Sequence, residues 1–435
     1  MTGKHGFLDE LRFRGLLYQQ TAEGELDEHL TRAPRVGYCG FDPTADSLTI
    51  GNFIAIKLLI HWQRAGHRPI VLMGGGTGLI GDPSGKDKER PLITRELVEA
   101  NIAGQRRIFD RLLDFDAGNP CAAEIVNNAD WLSKLGFIEV LRDVGKHFSV
   151  NTMIQRDSVK ARLEERAQGI SYTEFSYMLL QAYDFLELRR AHDCTVQMAG
   201  SDQYGNIVAG IDLVRRSLGN EAGPSFGVTA PLVTHADGRK IGKSEGGAVW
   251  LTSDRTSPYA FYQYWINVPD GDVGSFLHWF SLLSAAEIGE VMAEHERAPH
   301  LRGAQQALAQ HMTDLLHGSD ERRLVETASE ALFGGGDPRS VSESVLSQVV
   351  EGLPHSDHGS DVLSAGMPLL ELLPDTSLAG SRREAREFLK NGAIWVNGEK
   401  VPADRILGQE DLLPGGIVLL RRGKKNWHAS RFRNR

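Results

Sequence analysis

Four separated stretches of the 435-residue sequence hold side chains able to do chemistry. In DPTADSLTIGN, residues 42 to 52, Thr44, Thr49 and Asn52 can each donate a hydrogen bond, and the last two are three apart at the start of an apolar helical run, hence on one face. Backbone amides and the positive dipole end of that helix suit a phosphate. The plainer reading, in which Asp42, Asp46 and Ser47 only make turns and caps, weighs equally on this stretch alone. In MGGGTGLIGDPSGK, residues 73 to 86, a glycine-lined turn carries one carboxylate, Asp82, which either pairs with an ammonium group or, more commonly, caps its own turn. In EFSYMLLQAYDF, residues 174 to 185, Tyr177, Gln181 and Asp184 recur at spacings of four and three, which puts a phenol, an amide and a carboxylate on one helix face. Phe175, Met178, Leu179, Leu180 and Phe185 bury that helix, so its polar groups need partners that a polar ligand would supply. In ADGRKIGKSEGG, residues 236 to 247, Lys240, Lys243 and Ser244 sit in a glycine-punctuated segment suited to gripping a phosphate chain; a basic hairpin turn is its commoner meaning in isolation.

Two familiar phosphate motifs are excluded. Gly76, Gly78 and Gly81 spell G-x-G-x-x-G after a strand, but a dinucleotide site needs a helix to open there, and Asp82, Pro83, Ser84 and Gly85 make turns instead. A P-loop fails because Ile80 and Asp87 stand where glycine and Ser or Thr are required around the Gly-Lys pair.

The elements that must position these groups alternate. From about residue 34 to 251, short apolar runs ending in glycine (RVGYCGF, RPIVLMGGG, CTVQMAG) are separated by helical text, the rhythm of a parallel sheet covered on both faces. FIAIKLLIHWQRAG reads as a crossover helix between the first two strands, and Ser201 or Asp202 as the cap of a helix with Ile207, Ile211 and Val214 on one side. After Leu251 the chain turns helical to Phe333, with Ser257 capping Pro258 and Ser284 with Glu287 making a capping box. GGGDP at 334 to 338 and EGLPHSDHGSD at 351 to 361 read as linkers, with too little apolar content to pack. A third small domain follows, with SRREAREFLKNG as a helix and Asn397-Gly398 as a hairpin turn.

Composition sets the outer bounds. The 48 basic against 57 acidic residues and 41% hydrophobic content describe an ordinary globular chain of two to four domains. No stretch reaches the ~18 apolar residues of a membrane span, and the polar start lacks a secretory signal, so a cytoplasmic location and no membrane partner are expected. Cys39, Cys121 and Cys194 are too few and too scattered for a disulfide framework or a cysteine metal site, and no metal ligand set is expected. The net charge of −9 hides a basic end: Arg421, Arg422, Lys424, Lys425, Arg431, Arg433 and Arg435 fall in the last fifteen residues, with no acid among them.

Taken in order, YCGFDPTADSLTIGN, GGGTGLIGDPSGK, FSYMLLQAYDF with AGSDQYGN, and KIGKS closely resemble the bacterial tyrosyl-tRNA synthetases, a family of class I aminoacyl-tRNA synthetases; LRDVGKHFSVN and SRREAREFLKNGAIWVNGE extend the likeness over nearly the whole chain. The resemblance implies an α/β fold with a Rossmann-type parallel-sheet catalytic domain at 1–254, an all-helical anticodon-side domain at 255–336, a linker at 337–366, and a small α+β RNA-binding domain of the ribosomal-protein S-four type at 367–435. It assigns Tyr38 and Asp184 to the phenol of tyrosine, Asp82, Tyr177 and Gln181 to its ammonium group, and Gln203 to the neighbourhood of its carboxylate. It assigns Cys39, Gly40, Asp42, Gly51, Asn52, Gly200 and Asp202 to ATP, Thr44 with the TIGN turn to the phosphates, and Lys240, Lys243 and Ser244 to the leaving pyrophosphate, assisted by Lys86 and Arg90. Two departures stand out: the signature usually written HIGH reads TIGN, with Thr49 and Asn52 in place of both histidines, and Ala199 and Tyr204 stand where glycine and tryptophan are common. Thr49, shorter than histidine, would reach a phosphate only through water.

The activity so implied is that of a tyrosine-tRNA ligase. The tyrosine carboxylate attacks the α-phosphorus of ATP, pyrophosphate leaves, and a terminal ribose hydroxyl of tyrosine tRNA takes the tyrosyl group. ATP enters with Mg²⁺, no organic cofactor is needed, and the family implies a homodimer. Positioning and electrostatics would supply the catalysis, since the nucleophile is already ionised. Two rivals are a synthetase-like protein that binds structured RNA after losing activation, and a tryptophanyl enzyme, which has no use for Tyr38 with Asp184.

Overall fold

Apolar runs that end in glycine become adjacent parallel strands in the computed structural model, which describes residues 6–82, 93–155, 159, 170–244, 247–333, 337–423 and 426–433. The chain forms two compact units: Met1–Lys243 with Ala248–Thr252 and Pro269–Ala304, and Ser244–Gly247 with Ser253–Val268 and Gln305–Arg435.

The first unit is built on a six-stranded sheet of β1 (Gln19–Gln20), β2 (Val36–Phe41), β3 (Arg68–Met73), β4 (Glu124–Asn127), β5 (Cys194–Gly200) and β6 (Phe226–Ala230), in the order β1-β6-β5-β2-β3-β4. All neighbours from β6 to β4 run parallel, with Tyr38 opposite Ile70 on one side and Gln197 on the other; β1 closes the far edge antiparallel. Burial on both faces explains why β3, β5 and β6 are largely apolar, with Thr195, Gln197 and Thr229 as buried polar exceptions. The order reverses at β2 and β5, so the crevice beyond their carboxyl ends is where an open α/β sheet takes its ligand.

Among the described residues up to 243, the helices of seven or more residues in this unit are α1 (Phe7–Phe13), α2 (Glu23–Arg32), α3 (Ile50–Arg64), α4 (Arg95–Leu112), α5 (Tyr172–His192) and α6 (Tyr204–Leu218). The crossover helix α3 buries Ile50, Phe53, Ile56, Leu58, Leu59 and Trp62, as its all-round apolar text requires. Neither Ser201 nor Asp202 caps α6: a single turn of 3-10 helix, Ser201–Gln203, intervenes and Gln203 is the cap residue. Later in the chain come α7 (Pro258–Ile266), α8 (Asp270–Phe280), α9 (Ala285–Arg297), α10 (Gly303–Leu316) and α11 (Ser319–Phe333). Of these, α8 and α9 belong to the first unit, α7 and α11 to the second. The Ser257 and Ser284 caps form as read, each accepting from the backbone N–H three residues on, at 3.3 Å.

In the second unit, α12 (Glu343–Glu351) and α13 (Arg382–Lys390) accompany a five-stranded sheet of β7 (His355–Gly359), β8 (Ile394–Val396), β9 (Glu399–Lys400), β10 (Ile417–Arg422) and β11 (Asn426–Arg433), in the order β9-β8-β10-β11-β7. Asn397 and Gly398, at φ of 47° and 86°, make the turn between β8 and β9. Leu363, Leu372, Leu389, Ile394, Leu420 and Phe432 form its core. The linker reading of 337–366 is corrected here. Residues 355–359 are the edge strand of this sheet, parallel to β11, and α12 buries Val345, Leu346, Val349 and Val350. Apolar content misleads for such a strand, because backbone pairing and the Ser356 hydroxyl, 3.0 Å from His428 Nε2, hold it. No described helix is long and apolar enough to cross a membrane.

Candidate active site

Beyond the ends of β2 and β5 the structure leaves a cavity of about 460 Å³, whose walls include Tyr38, Asp42, Thr49, Tyr177, Asp184 and Gln203. The Gly74-Gly75-Gly76 run after β3 allows its wall to close. A Cβ on Gly74 would stand 2.5 Å from Asp42 Oδ1, and one on Gly75 2.1 Å from Asn127 Oδ1, so both positions need glycine for side chains to approach the backbone.

At the inner end, Tyr38 packs its ring 5.5 Å from that of Phe185 and is fully buried, its hydroxyl without a hydrogen-bond partner among the described residues. Asp184, also buried, accepts from Asn128 Nδ2 at 2.9 Å and from Trp131 Nε1 at 2.8 Å. Burial pushes its carboxyl up to about 7; the two hydrogen bonds pull it down and Asp42 raises it further. Burial, and then the charge of Asp184, push the Tyr38 phenol well above its ordinary value. An unpartnered buried hydroxyl beside a held carboxyl is a receptor for a ligand hydroxyl, which satisfies both.

Further out, amides pass hydrogen bonds toward one carboxylate. Asn206 Nδ2 donates to Gln181 Oε1 at 2.9 Å, Gln181 Nε2 to Gln203 Oε1 at 3.2 Å, and Gln203 Nε2 to Asp82 Oδ2 at 2.8 Å. Oriented this way, the chain ends on an acceptor at Asp82, the polarity an ammonium group needs. Tyr177 donates its hydroxyl to Asp42 Oδ2 at 3.3 Å, and Thr77 its own to Asp42 Oδ1 at 3.2 Å; Asp42 thus braces the side-chain network on this wall.

At the mouth, Thr49 and Asn52 open α3. The amide oxygen of Asn52 accepts from the backbone N–H of Thr49 at 3.0 Å and from its hydroxyl at 2.8 Å, the reciprocal arm of a capping box. The segment after the KIGKS stretch returns to this turn: Ile50 N–H donates to the Val249 carbonyl at 3.0 Å, and Val249 N–H to the Gly242 carbonyl at 2.9 Å. Gly242 adopts φ of 83°, where a side chain would be strained and its Cβ would lie 3.3 Å from Gly51 N. KIGKS and TIGN are therefore in backbone contact although about 190 residues separate them.

The structure brings together most of the residues singled out from sequence. Tyr38, Cys39, Gly40, Asp42, Thr44, Thr49, Asn52, Asp82, Tyr177, Gln181, Asp184, Gly200 and Gln203 all line the cavity. Cys39 is wall and not nucleophile, since burial pushes its thiol up to about 12. Asp202 is exposed and outside the lining, its carboxylate 3.4 Å from Gln203 Nε2. Gly51 and Lys240 are exposed and outside the lining. The side chains of Lys243 and Ser244, and all of Lys86 and Arg90, lie outside the described residues. Sequence reasoning missed Asn128, Trp131, Asn206 and Gln197, whose Oε1 is buried at the cavity wall without a hydrogen-bond partner among the described residues. Only Asn206 carried a readable signal, a polar residue three after Gln203 within an apolar helix.

Residues 31–334 match the family described as tRNA synthetases class I (W and Y), and residues 346–429 the tyrosine--tRNA ligase SYY-like C-terminal domain. The chain is 49% identical over 428 residues to the tyrosine--tRNA ligase of Bacillus caldotenax, covering 98% of this chain and 99% of that protein. To the tyrosine--tRNA ligase of Roseiflexus castenholzii it is 47% identical over 427 residues, with 98% and 99% covered. Among solved structures, a C-terminally truncated mitochondrial tyrosyl-tRNA synthetase from Aspergillus nidulans aligns with a TM-score of 0.68 at 32% identity, covering 76% of this chain and 95% of that one. A tryptophanyl-tRNA synthetase from Plasmodium falciparum, at 13% identity and a TM-score of 0.52 over 72% of this chain and 84% of that one, shares the fold alone.

Proposed function

Since the chain belongs to the class I tRNA synthetases for tryptophan and tyrosine and carries the C-terminal domain of the tyrosine--tRNA ligases, we propose that the cavity beyond β2 and β5 is where tyrosine and ATP meet. The activity is that of a tyrosine-tRNA ligase, ATP-dependent and AMP-forming. One observation carries the substrate reading: the orphaned Tyr38 hydroxyl beside Asp184, which Asn128 and Trp131 hold in place. A phenol completes both groups; the ring of phenylalanine completes neither and leaves them buried and unpaired.

In that reading the ammonium group of tyrosine sits against Asp82, Tyr177 and Gln181, and Gln203 lies near its carboxylate. One carboxylate oxygen attacks the α-phosphorus of ATP; the bond from that phosphorus to the bridging oxygen breaks, and pyrophosphate leaves with the electron pair. Gly40, Asp42, Gly200 and Asp202 surround the nucleoside end. Thr44, the α3 amino end and Asn52 meet the phosphates, and Lys240, Lys243 and Ser244 draw off the pyrophosphate. A terminal ribose hydroxyl of tRNA then attacks the tyrosyl carbonyl and AMP leaves. Mg²⁺ is proposed to arrive on the ATP phosphates.

The domain roles are proposed as catalysis for 1–254, anticodon-side contacts for 255–336 and RNA binding for 367–435. Exposed Arg382, Arg383 and Arg386 on α13 support the last, as does Arg421, whose guanidinium lies 4.3 Å from the Trp395 ring and 5.1 Å from that of Trp427. A homodimer is supported by the exposed apolar side chains Phe137, Ile138, Leu141, Val150 and Ile154, which fall in one short stretch of the first unit. A cytoplasmic location agrees with this role. An RNA binder without activation has no use for the intact phenol receptor, and a tryptophanyl enzyme has none for Tyr38 with Asp184. Pyrophosphate exchange into ATP tests the function: tyrosine should support it and tryptophan should not, and equal exchange with both would reject the pocket reading.

A further inference from the structure

Helix α8 holds both signature segments, one at each end. At its amino end the buried Asp272 accepts from His235 Nδ1 at 2.7 Å and from the backbone N–H of Ala236 at 2.9 Å. Those two residues belong to a tight hairpin: Thr234 pairs with Lys240, the His235 N–H donates to the Arg239 carbonyl at 2.9 Å, and the Gly238 N–H to the His235 carbonyl at 2.9 Å. The His235 ring also packs 5.2 Å from that of Phe276, tilted by 37°, one helical turn along α8. Lys240 therefore leaves a loop whose tip is pinned to α8, and two residues later Gly242 touches the TIGN turn.

At its carboxyl end, α8 presents carbonyls with no partner inside the helix. Lys57 of α3, fully buried, donates to the carbonyls of His278 at 2.7 Å and Ser281 at 2.5 Å. Arg14, just past α1, donates to Ser281 O at 3.0 Å and Leu283 O at 2.8 Å. The Arg14 guanidinium and the buried Lys57 amine, both donating to the negative end of a helix dipole out of water, make a stiff joint. Lys57 lies on the same helix as Asn52, five residues on. The helix that opens with TIGN and the hairpin that leads into KIGKS are thus fixed to opposite ends of one strut.

We propose that α8 sets the spacing between the two phosphate-gripping segments, and that His235 and Asp272 are positioning residues for the ATP step. The inference rests on the ligase reading of those segments. It requires no contact between His235 and substrate. Loss of the imidazole leaves Asp272 with half its partners and frees the hairpin to pivot, which misplaces Lys240 against a phosphate chain that needs near-ångström alignment.

The test is pyrophosphate exchange and equilibrium tyrosine binding on the full chain, comparing the unaltered protein with His235→Ala and His235→Asn. Asparagine places an amide N–H close to where Nδ1 stood and can keep the bond to Asp272. The expected result is a roughly tenfold loss in kcat/KM for ATP in His235→Ala, with the tyrosine Kd unchanged, and recovery of most of the loss in His235→Asn. A destabilised but correctly assembled protein would lower the melting temperature without separating ATP from tyrosine. Wild-type ATP kinetics in a folded His235→Ala would overturn the proposal. So would a folded His235→Asn, binding tyrosine normally, that fails on ATP by more than tenfold; this variant decides the matter if the alanine protein does not fold. Failure of the unaltered protein to exchange pyrophosphate with tyrosine would instead overturn the ligase reading, and the proposal with it.

Discussion

Asn52 spends its amide oxygen on Thr49, accepting from both the backbone N–H at 3.0 Å and the hydroxyl at 2.8 Å. The arrangement fixes the amide at the cavity mouth and leaves its NH₂ group as the donor. It also commits the Thr49 hydroxyl proton, which the sequence reading had sent to a phosphate through water. In the proposed mechanism Asn52 is the donor and Thr49 its support.

Asn52→Asp keeps the acceptor and removes the NH₂ donor, and the added negative charge faces the phosphates. Adenylate formation in single-turnover kinetics should fall by about 10²-fold, the scale of losing one donor aimed at developing charge, with tyrosine affinity unchanged. Thr49→Val, which keeps the backbone arm of the capping box, should cost much less, within about tenfold. A Thr49→Val loss as large as that of Asn52→Asp would give the hydroxyl a direct part.

The Asp184 carboxyl, pushed up to about 7 mainly by burial, makes the ligand-free protein's stability depend on pH. Below the ordinary aspartate value both folded and unfolded chains are protonated, so this group contributes no slope. Between that value and about 7 the unfolded chain alone is ionised, and each rise of one pH unit favours unfolding by at most about 1.4 kcal/mol. Above about 7 the loss is complete and the slope vanishes. Urea midpoints of the unaltered protein from pH 4 to 8, minus those of Asp184→Asn, should therefore decline with pH; a flat difference would mean that Asp184 ionises normally in the empty pocket.

Arg382 and Arg383 stand exposed on α13, and the proposed mechanism gives them no part in activation. Replacing both by alanine should raise the KM for tRNA several-fold, leave tyrosine-dependent pyrophosphate exchange intact, and flatten the plot of log affinity against log salt by about one unit for each lost phosphate contact. An unchanged salt slope would move the RNA to another face.

The sequence made the sheet rhythm and much of the cavity legible, for physical reasons that differ by residue. Tyr177, Gln181 and Asp184 share a helix face, so their spacing of four and three shows them together before any fold is known. Asp82 stands in a glycine-lined turn after a strand, where open α/β sheets place ligands, whereas Tyr38, inside β2, was assigned only through the resemblance. Asn128 and Trp131 could not be found this way: they reach Asp184 from more than 50 residues off, through pairing of β3 with β4 that no local pattern encodes. Asp42 was assigned to ATP through the resemblance alone, and no local pattern showed its hydrogen bonds from Tyr177 and Thr77, which lie far from it in sequence. His355–Gly359 was passed over because an edge strand held by backbone and hydroxyl bonds needs few apolar side chains.

The central claim is that Tyr38 and Asp184 read the phenol of tyrosine. Its most direct test is the ratio of kcat/KM for tyrosine over phenylalanine in pyrophosphate exchange, measured for the unaltered protein and for Tyr38→Phe and Asp184→Ala. Strong preference for tyrosine is expected in the unaltered protein, and a large fall in that ratio in each variant, carried mostly by a higher KM for tyrosine. An undiminished ratio in Asp184→Ala, from folded protein, would contradict that claim and remove this pair from substrate selection.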